Sequence, residues 1–153
     1  RSKLYSDSHL RKTILEITQM LSTAHHKLND DLLFNQRLYK STHVNHPMSL
    51  WVRETSENYK YTILILKSLF KEYEYRFEKK HKSKELLKFL EKLPNNLVIK
   101  NKTSSPFCMP EKYKTNDLYK SYLNYYLSEK LKDKNGRAHT WTKRTNLYKK
   151  YNF

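Results

Sequence analysis

The fold is decided by residues 6–28, which read SDSHLRKTILEITQMLSTAHHKL. Apolar side chains recur in this stretch at steps of four and three residues, the spacing that places them on one face of an α-helix. The members of this apolar face are Leu10, Ile14, Ile17, Leu21, Ala24 and Leu28. A helix with such a face is stable when the face is buried, so residues 6–28 predict a first long helix that packs on the core.

A second face of the same helix carries side chains with acid–base chemistry. His9, Thr13 and Glu16 are spaced i, i+4 and i+7, so they lie on one side of the helix, with Lys12 at its edge. A carboxylate between an apolar stripe and cationic side chains suits proton transfer or the stabilisation of a developing cation. We therefore predict His9, Lys12 and Glu16 as catalytic residues; the alternative interpretation is an ordinary solvated helix face.

The rest of the chain is predicted to alternate between helices and loops. The predicted helices are a short one at Pro47 to Arg53 that presents Trp51 and Arg53, a central one from Ser56 to Lys79, a third from Ser83 to Pro94, and a last one from Asn116 to Asp133. Residues 31–45 are predicted to form a loop or a single helical turn, and residues 97–110 a loop. Gly136, the only glycine, is predicted to terminate the last helix.

These elements predict an all-α fold, since no period-two run indicates a strand and one glycine leaves little for tight hairpins. We expect one compact domain over residues 1–153, a bundle of about four to five helices around a long central helix. Glu72 and Arg76 are predicted on the solvated side of that helix. Residues 137–153 are predicted to form a basic, aromatic tail.

The charge of the chain indicates an acidic partner. Lys and Arg number 31 against 15 Asp and Glu, a formal net charge of +16, and 13 Tyr, 6 Phe and 2 Trp are interleaved with them. Cations can meet phosphates while rings stack on bases, so we expect nucleic acid, duplex DNA first, rather than a membrane. The predicted contacts are Arg53, Arg76, Lys80, His81, Trp141, Lys143, Arg144, Tyr148, Lys149, Lys150 and Tyr151. The alternative is that most rings are core and most charges are solvated.

Several chemistries are excluded or disfavoured by the same composition. A single cysteine, Cys108, excludes an intrachain disulfide and suits a reducing, intracellular location, and no secretory segment is evident. One glycine excludes a glycine-rich nucleotide-binding loop, so P-loop and Rossmann nucleotide sites are not expected. His25, His43 and His46 suggest a metal site, but their spacing fixes no set of three ligands, which zinc requires, so no metal is expected.

Three stretches resemble one known family, and they occur in the same order as in that family. The stretches are Asp7-Ser8-His9-Leu10 followed by Glu16, Met109-Pro110-Glu111-Lys112-Tyr113 followed by Ser128-Glu129-Lys130-Leu131, and the basic, tyrosine-rich segment Arg144 to Tyr151. The family is the phage-type pyrimidine-dimer DNA glycosylase and AP lyase, the endonuclease V repair family. Between these stretches, Tyr59 to Phe77 agrees with it mainly as a long amphipathic helix.

The resemblance implies a compact all-α protein that binds duplex DNA without a metal or organic cofactor. It also implies that the protein flips a base and forms a Schiff base at the sugar C1′ before strand cleavage. Glu16 would stabilise the sugar cation and assist proton transfer, and His9 would orient the site or touch the DNA backbone.

The chain departs from the family at four places. Leu147 lies where the family has a C-terminal tryptophan, although Trp141 is nearby in the sequence. The family carries arginines where this chain has Leu15 and Gln19. The family's nucleophile is its N-terminal amine, whereas few residues precede Asp7 here. Three alternatives stay open: residues before Arg1 supply the amine, a lysine such as Lys12 replaces it, or the lyase step is absent.

We therefore expect a small, intracellular, virus-encoded enzyme that binds DNA and acts on a damaged or modified base. One alternative is a non-catalytic basic protein of a virion or ribonucleoprotein particle, which the net charge of +16 favours equally. A second alternative is a metal-dependent nuclease or base-modifying enzyme built around His25, His43 and His46.

Overall fold

The structure, a computed structural model, describes residues 2–106 and 108–146, and the regular secondary-structure elements in that part of the chain are helices. Its α-helices are α1 (Asp7–Leu28), α2 (Leu32–Asn35), α3 (Pro47–Val52), α4 (Ser56–Phe77), α5 (Leu87–Leu90) and α6 (Leu118–Glu129). Short 3-10 helices occupy Ser2–Leu4, Lys82–Leu86 and Glu111–Tyr113. Within the described residues, the only β-type pairing is an isolated bridge between Lys132 and Ala138. The prediction of an all-α fold is confirmed.

Two compact units make up the described chain. One contains the residues up to 10 together with the described residues from 108 onward, and the other contains residues 11–106. Helix α1 starts in the first unit and continues through the second. The expectation of one domain over residues 1–153 stays a prediction.

The core of the 11–106 unit is built from side chains at helical spacing on α1 and α4. The side chains without any exposed surface include Ile14, Leu21, Ala24, Val52, Tyr59, Leu66 and Leu90. Removal of one Leu or Ile side chain from water contributes roughly 1.5–3 kcal/mol, so this set stabilises the unit. The predicted apolar face of α1 is thereby confirmed at Ile14, Leu21 and Ala24.

Side-chain caps begin the helices, and local backbone geometry ends them. The Thr55 hydroxyl accepts a hydrogen bond from Asn58 N at 3.1 Å at the start of α4. Glu78 adopts a left-handed conformation, with φ of 53°, and so stops α4 before the predicted Lys79.

Helix α6 is shorter than predicted at both ends. Asp117 caps its start by accepting from Lys120 N at 2.9 Å, and it ends at Glu129 rather than Asp133. Gly136, with φ of 75°, lies in a turn where its N–H donates to the Asp133 carbonyl at 3.0 Å. Gly136 therefore forms this turn and does not terminate α6.

Helix α4 carries a buried ion pair on the side that was predicted to be solvated. Arg76 Nε donates to Glu72 Oε1 at 2.8 Å, and the two side chains are 0% and 5% exposed. Arg and Glu are almost never fully buried unless they are paired, so each accounts for the burial of the other. The prediction of a solvated Glu72 and Arg76 is wrong.

Helix α3 also differs from its predicted orientation. Trp51 is buried at 5% exposure, and its indole Nε1 donates to the Thr103 carbonyl at 3.3 Å. An indole that packs in the core and satisfies its N–H on a loop carbonyl is a structural element. The prediction that this helix presents Trp51 at the surface is wrong.

A buried polar chain links α1, α4 and α5. The Tyr59 hydroxyl donates to the Leu90 carbonyl at 2.7 Å and lies 2.8 Å from His25 Nε2. Because the hydroxyl proton is used on Leu90, the hydroxyl oxygen accepts from His25, which places the imidazole proton on Nε2. Burial lowers the pKa of His25 to about 4 and raises the pKa of Tyr59.

Acidification is therefore expected to destabilise the 11–106 unit through His25. The unfolded chain binds a proton near pH 6.5, whereas folded His25 stays neutral until about pH 4. Stability is complete above pH 6.5 and is lost as pH falls toward 4, by roughly 2–3 kcal/mol over this range. Urea unfolding at a series of pH values should show this loss in the wild type and a smaller one in His25→Gln. Equal pH dependence in both proteins would contradict it.

No helix within the described ranges combines the length and apolarity that crossing a membrane requires.

Candidate functional site

The first turn of α1 is fixed by the segment at residues 140–142. The Asp7 carboxylate, 5% exposed, accepts from the Thr140 hydroxyl at 2.8 Å and from the Thr142 hydroxyl at 2.7 Å. Asp7 N in turn donates to the Thr140 carbonyl at 2.9 Å. An acid at a helix start is also stabilised by the helix dipole. These contacts hold the start of α1 and the segment around His139 together.

His9 lies in this turn and is held by hydroxyl groups. Its Nδ1 is 2.8 Å from the Tyr126 hydroxyl and 3.0 Å from the Ser6 hydroxyl. Ser6 N donates to the Tyr126 hydroxyl at 2.7 Å, so that oxygen is positioned by backbone as well as by the imidazole. Tyr126 comes from α6, which brings its phenol to His9 from 117 positions along the chain.

A second imidazole lies against the first. The ring centroids of His9 and His139 are 4.8 Å apart, and Ser8 Oγ is 3.1 Å from His139 Nδ1. We call Ser6, Ser8, His9, Tyr126 and His139 the His9 cluster. A neutral imidazole both donates and accepts, so two rings in contact, with hydroxyls on their Nδ1 atoms, provide proton donors and acceptors at one place.

Trp141 supports this cluster from the core of its unit. It is 6% exposed, and its Nε1 donates to the Leu4 carbonyl at 3.0 Å. It forms a small core with Leu131, against which Leu4, Tyr126 and Leu127 pack. The prediction that Trp141 faces nucleic acid does not fit this burial, because a ring inside the core cannot stack on a base.

Lys12 and Glu16 form an exposed pair rather than an enclosed site. Lys12 Nζ lies 3.6 Å from Glu16 Oε1, and the side chains are 71% and 47% exposed. A lysine that forms a Schiff base is activated by burial or by a neighbouring cation, and this geometry provides neither for Lys12. Such a surface pair contributes roughly 0.3–0.5 kcal/mol.

A basic surface follows the end of α4. Lys79, Lys80 and Lys82 are exposed, and none of them pairs with a carboxylate among the described residues. The guanidinium of Arg11 lies over the Phe77 ring, 4.5 Å from its centroid. We call Arg11, Lys79, Lys80, His81 and Lys82 the 79–82 surface.

His81 is partly enclosed within this surface. Its Nδ1 accepts from Ser83 N at 3.1 Å, and its ring is 4.9 Å from that of Tyr73. Burial, and next the charge of Arg11, lower the pKa of His81. His81 therefore serves first as a helix cap, and the lysines carry most of the positive charge of the surface.

The other predicted nucleic-acid contacts are dispersed. Arg53 is half-buried and donates to the Ser49 carbonyl at 3.3 Å, and burial lowers its pKa. Arg76 has no exposed side-chain surface, which does not fit its predicted contact with phosphate. Lys143 is exposed and Arg144 is half-buried. Tyr148, Lys149, Lys150 and Tyr151 lie outside the described residues.

Two of the three histidines proposed as metal ligands have other partners. His25 is buried on Tyr59, and His46 Nδ1 accepts from Met48 N at 3.1 Å as the cap of α3. Across the described segments, no three His, Cys, Asp or Glu side chains are grouped to hold a metal ion. The alternative of a metal-dependent enzyme built on His25, His43 and His46 is therefore not supported.

Sequence reasoning selected His9 but missed Tyr126 as its partner and His139 as its neighbour. Tyr126 follows Tyr125 in a tyrosine-rich helix, so its sequence gives no sign of a special role. His139 gives a weak sign, since it is a histidine close to Trp141 in a segment rich in Lys and Arg.

Comparison with protein-family models, with curated proteins and with solved structures yields no match to this chain, so functional inference depends on the His9 cluster and the 79–82 surface.

Proposed function

We propose that this protein binds duplex DNA and acts on a damaged or modified base, with His9 as its acid–base group. The observation that carries the proposal is the His9 imidazole, held 2.8 Å from the Tyr126 hydroxyl and in ring contact with His139, in a chain of net charge +16. Imidazole is the side chain used most often for proton transfer in enzymes.

The proposed reaction breaks the bond between the base and its sugar. The sugar C1′ gains positive charge as the bond lengthens and then bonds to water, or to an amine in a lyase step, and this nucleophile releases a proton. The departing base keeps the bonding electron pair and takes up one proton. His9 would give that proton, and Tyr126 and Ser6 would orient the ring through Nδ1. The base must leave the duplex stack to be reached, which is the usual requirement for enzymes of this class.

The resemblance to the pyrimidine-dimer glycosylase family implies that Glu16 stabilises the sugar cation, and we retain that role in the proposal. The exposed Glu16 carboxylate can reach a ligand in solution without rearrangement of the core. Lys12 is less well supported as the nucleophile of a lyase step, because its side chain is 71% exposed.

Borohydride trapping of Schiff bases tests the proposed chemistry. The substrates are duplexes that carry a single abasic site or a pyrimidine dimer. The protein is used with its N-terminus checked by mass spectrometry, as wild type, Lys12→Ala and Glu16→Gln. We expect an adduct that survives loss of Lys12 and disappears when the terminal amine is blocked. An adduct that disappears only in Lys12→Ala would instead identify Lys12 as the nucleophile.

Binding is proposed to use the 79–82 surface. If Lys79, Lys80 and Lys82 each neutralise one phosphate, the triple alanine variant should reduce the slope of log affinity against log salt by about 2–3. The measurement is fluorescence anisotropy of a labelled duplex over a range of NaCl. Lys60→Ala, which removes an exposed lysine already paired with Glu57, is the matched control. An affinity independent of salt would contradict electrostatic binding.

A second candidate function is non-catalytic binding of nucleic acid within a virion or ribonucleoprotein assembly. The 79–82 surface favours it, because Arg11 and three exposed lysines that pair with no carboxylate in the described part of the chain could bind phosphate without the His9 cluster. Tight, salt-sensitive binding with no change in any substrate would support this candidate over the enzyme.

A further inference from the structure

Helix α2 exposes two adjacent leucines. Leu32 and Leu33 are 72% and 74% exposed, although Phe34 beside them is half-buried. A single exposed leucine is ordinary, whereas adjacent ones that continue into an aromatic cluster form an apolar patch typical of interaction sites. Nothing in the 11–106 unit covers this pair, so a partner could bury both leucines by binding there.

Cations stand around the aromatic rings next to the leucines. Phe34 and Phe89 meet edge to face, with centroids 6.1 Å apart. Lys92 lies 5.4 Å from the centroid of Phe34, and Arg37 and Lys88 lie 5.6 and 4.9 Å from that of Phe89. We call these five residues with Leu32 and Leu33 the α2 surface.

The three cations of the α2 surface lack carboxylate partners. Arg37, Lys88 and Lys92 form no ion pair within the described residues, whereas other lysines of this unit do, as Lys60 does with Glu57. No carboxylate within the described residues therefore neutralises the positive charges beside the two rings. A partner with carboxylates would gain three charge contacts at the edge of an apolar patch.

Two acids directly precede the leucines in the sequence, so the surface is not uniformly basic. Asp30 and Asp31 are exposed, and Asp31 is held by accepting from Phe34 N at 2.9 Å. A polyphosphate gains nothing from exposed leucines, whereas a helix can pack apolar side chains on them and direct its carboxylates to Arg37, Lys88 and Lys92. A second copy of the chain is disfavoured by repulsion between two molecules of charge +16.

We propose that the α2 surface docks an acidic amphipathic helix of a partner protein. The apolar face of that helix covers the two leucines, and carboxylates on its flank meet the three cations. Helices of this kind bind grooves and patches through apolar side chains at i, i+3, i+4 and i+7. This inference is independent of the chemistry proposed for His9.

The test uses a labelled synthetic peptide of about 18 residues, five helical turns, with Leu at those positions and Glu elsewhere. Fluorescence anisotropy should detect binding to the full chain, weakened about tenfold or more by Leu32→Ser/Leu33→Ser, which removes two leucines from the contact. Arg37→Glu should weaken it as well. The control Val98→Ser/Ile99→Ser removes another exposed apolar pair, 57% and 82% exposed, and should bind as the wild type does.

Four results would overturn the proposal. The first is that the peptide does not bind, and the second is that a scrambled peptide of the same composition binds equally well. The third is that Val98→Ser/Ile99→Ser weakens binding as much as Leu32→Ser/Leu33→Ser does. The fourth is that short duplex DNA displaces the peptide and that binding of this DNA depends on Leu32 and Leu33. Sedimentation of the unliganded protein gives a further check. A dimer of the wild type that Leu32→Ser/Leu33→Ser dissociates would show that a second copy occupies the surface instead.

Discussion

Replacement of His9 by alanine is expected to slow base release by about 10²- to 10⁴-fold, the range for loss of a general acid or base. The variant removes the imidazole that contacts Tyr126, Ser6 and His139. Duplex affinity is expected to stay within about twofold of the wild type, because electrostatic binding depends on the cations that meet phosphate. Single-turnover release from duplexes, with enzyme in excess, measures the chemical step.

Two further variants distinguish a chemical role from a structural one. Tyr126→Phe keeps the ring that packs near Trp141 but removes the hydroxyl 2.8 Å from His9 Nδ1, so it should change the pH profile of the rate more than its plateau. His46→Ala removes an exposed histidine that only caps α3, and it should leave the rate unchanged. Full activity of His9→Ala would refute the assignment.

Replacement of Glu72 by alanine is expected to destabilise the protein by about 3–5 kcal/mol. The substitution leaves the guanidinium of Arg76 buried, with no exposed side-chain surface, and without the carboxylate 2.8 Å from its Nε. The expected cost exceeds that of breaking a surface pair, because the guanidinium stays buried when it loses this carboxylate. Chemical denaturation monitored by circular dichroism measures it.

An exposed ion pair on the same helix provides the control for Glu72. Lys60 and Glu57 are also paired, but their side chains are 54% and 46% exposed, so Lys60→Ala should cost no more than about 0.5 kcal/mol. Glu72→Gln keeps the side-chain shape and one hydrogen-bond acceptor, so its loss of stability should lie between those of Glu72→Ala and Lys60→Ala. Equal, small losses in all three variants would show that the buried pair contributes no more than a surface pair.

Periodicity predicted much of the fold because burial of an apolar face at helical spacing is a local property of the sequence. Residues 6–28 were expected to be helical, and α1 runs from Asp7 to Leu28. The start of α4 at Ser56 was also predicted, from the apolar spacing that begins at Tyr59. The predicted end at Lys79 lies two residues beyond the observed end at Phe77, because Glu78 adopts a left-handed conformation. This conformation was not predictable from the sequence, since no glycine occupies the position.

Burial of polar side chains could not be predicted in the same way. Glu72 and Arg76 have the i, i+4 spacing of an ordinary surface pair, and only the packing around α4 encloses them. Trp141 has basic neighbours in sequence, which suggested a nucleic-acid contact. Its indole instead fills the core beside Leu131, a contact that depends on the tertiary fold.

The candidate site was predicted in part for a similar reason. His9 was selected from its position on α1, but Tyr126 and His139 reach it from distant parts of the chain, which helical spacing cannot indicate. The pairing of Lys12 with Glu16 follows from their spacing alone, and the exposure of both side chains separates this pair from an enclosed active site.

The most direct test of the proposed function is mass spectrometry of the free bases released from duplexes that carry defined damaged or modified bases. Wild type and His9→Ala are compared at stoichiometric concentration, with duplex affinity measured on the same samples. The account predicts release of a free base by the wild type, and at least about a hundredfold slower release by His9→Ala at equal affinity. No released base from any duplex, with tight and salt-sensitive binding retained, would contradict the enzyme and leave a non-catalytic nucleic-acid-binding protein.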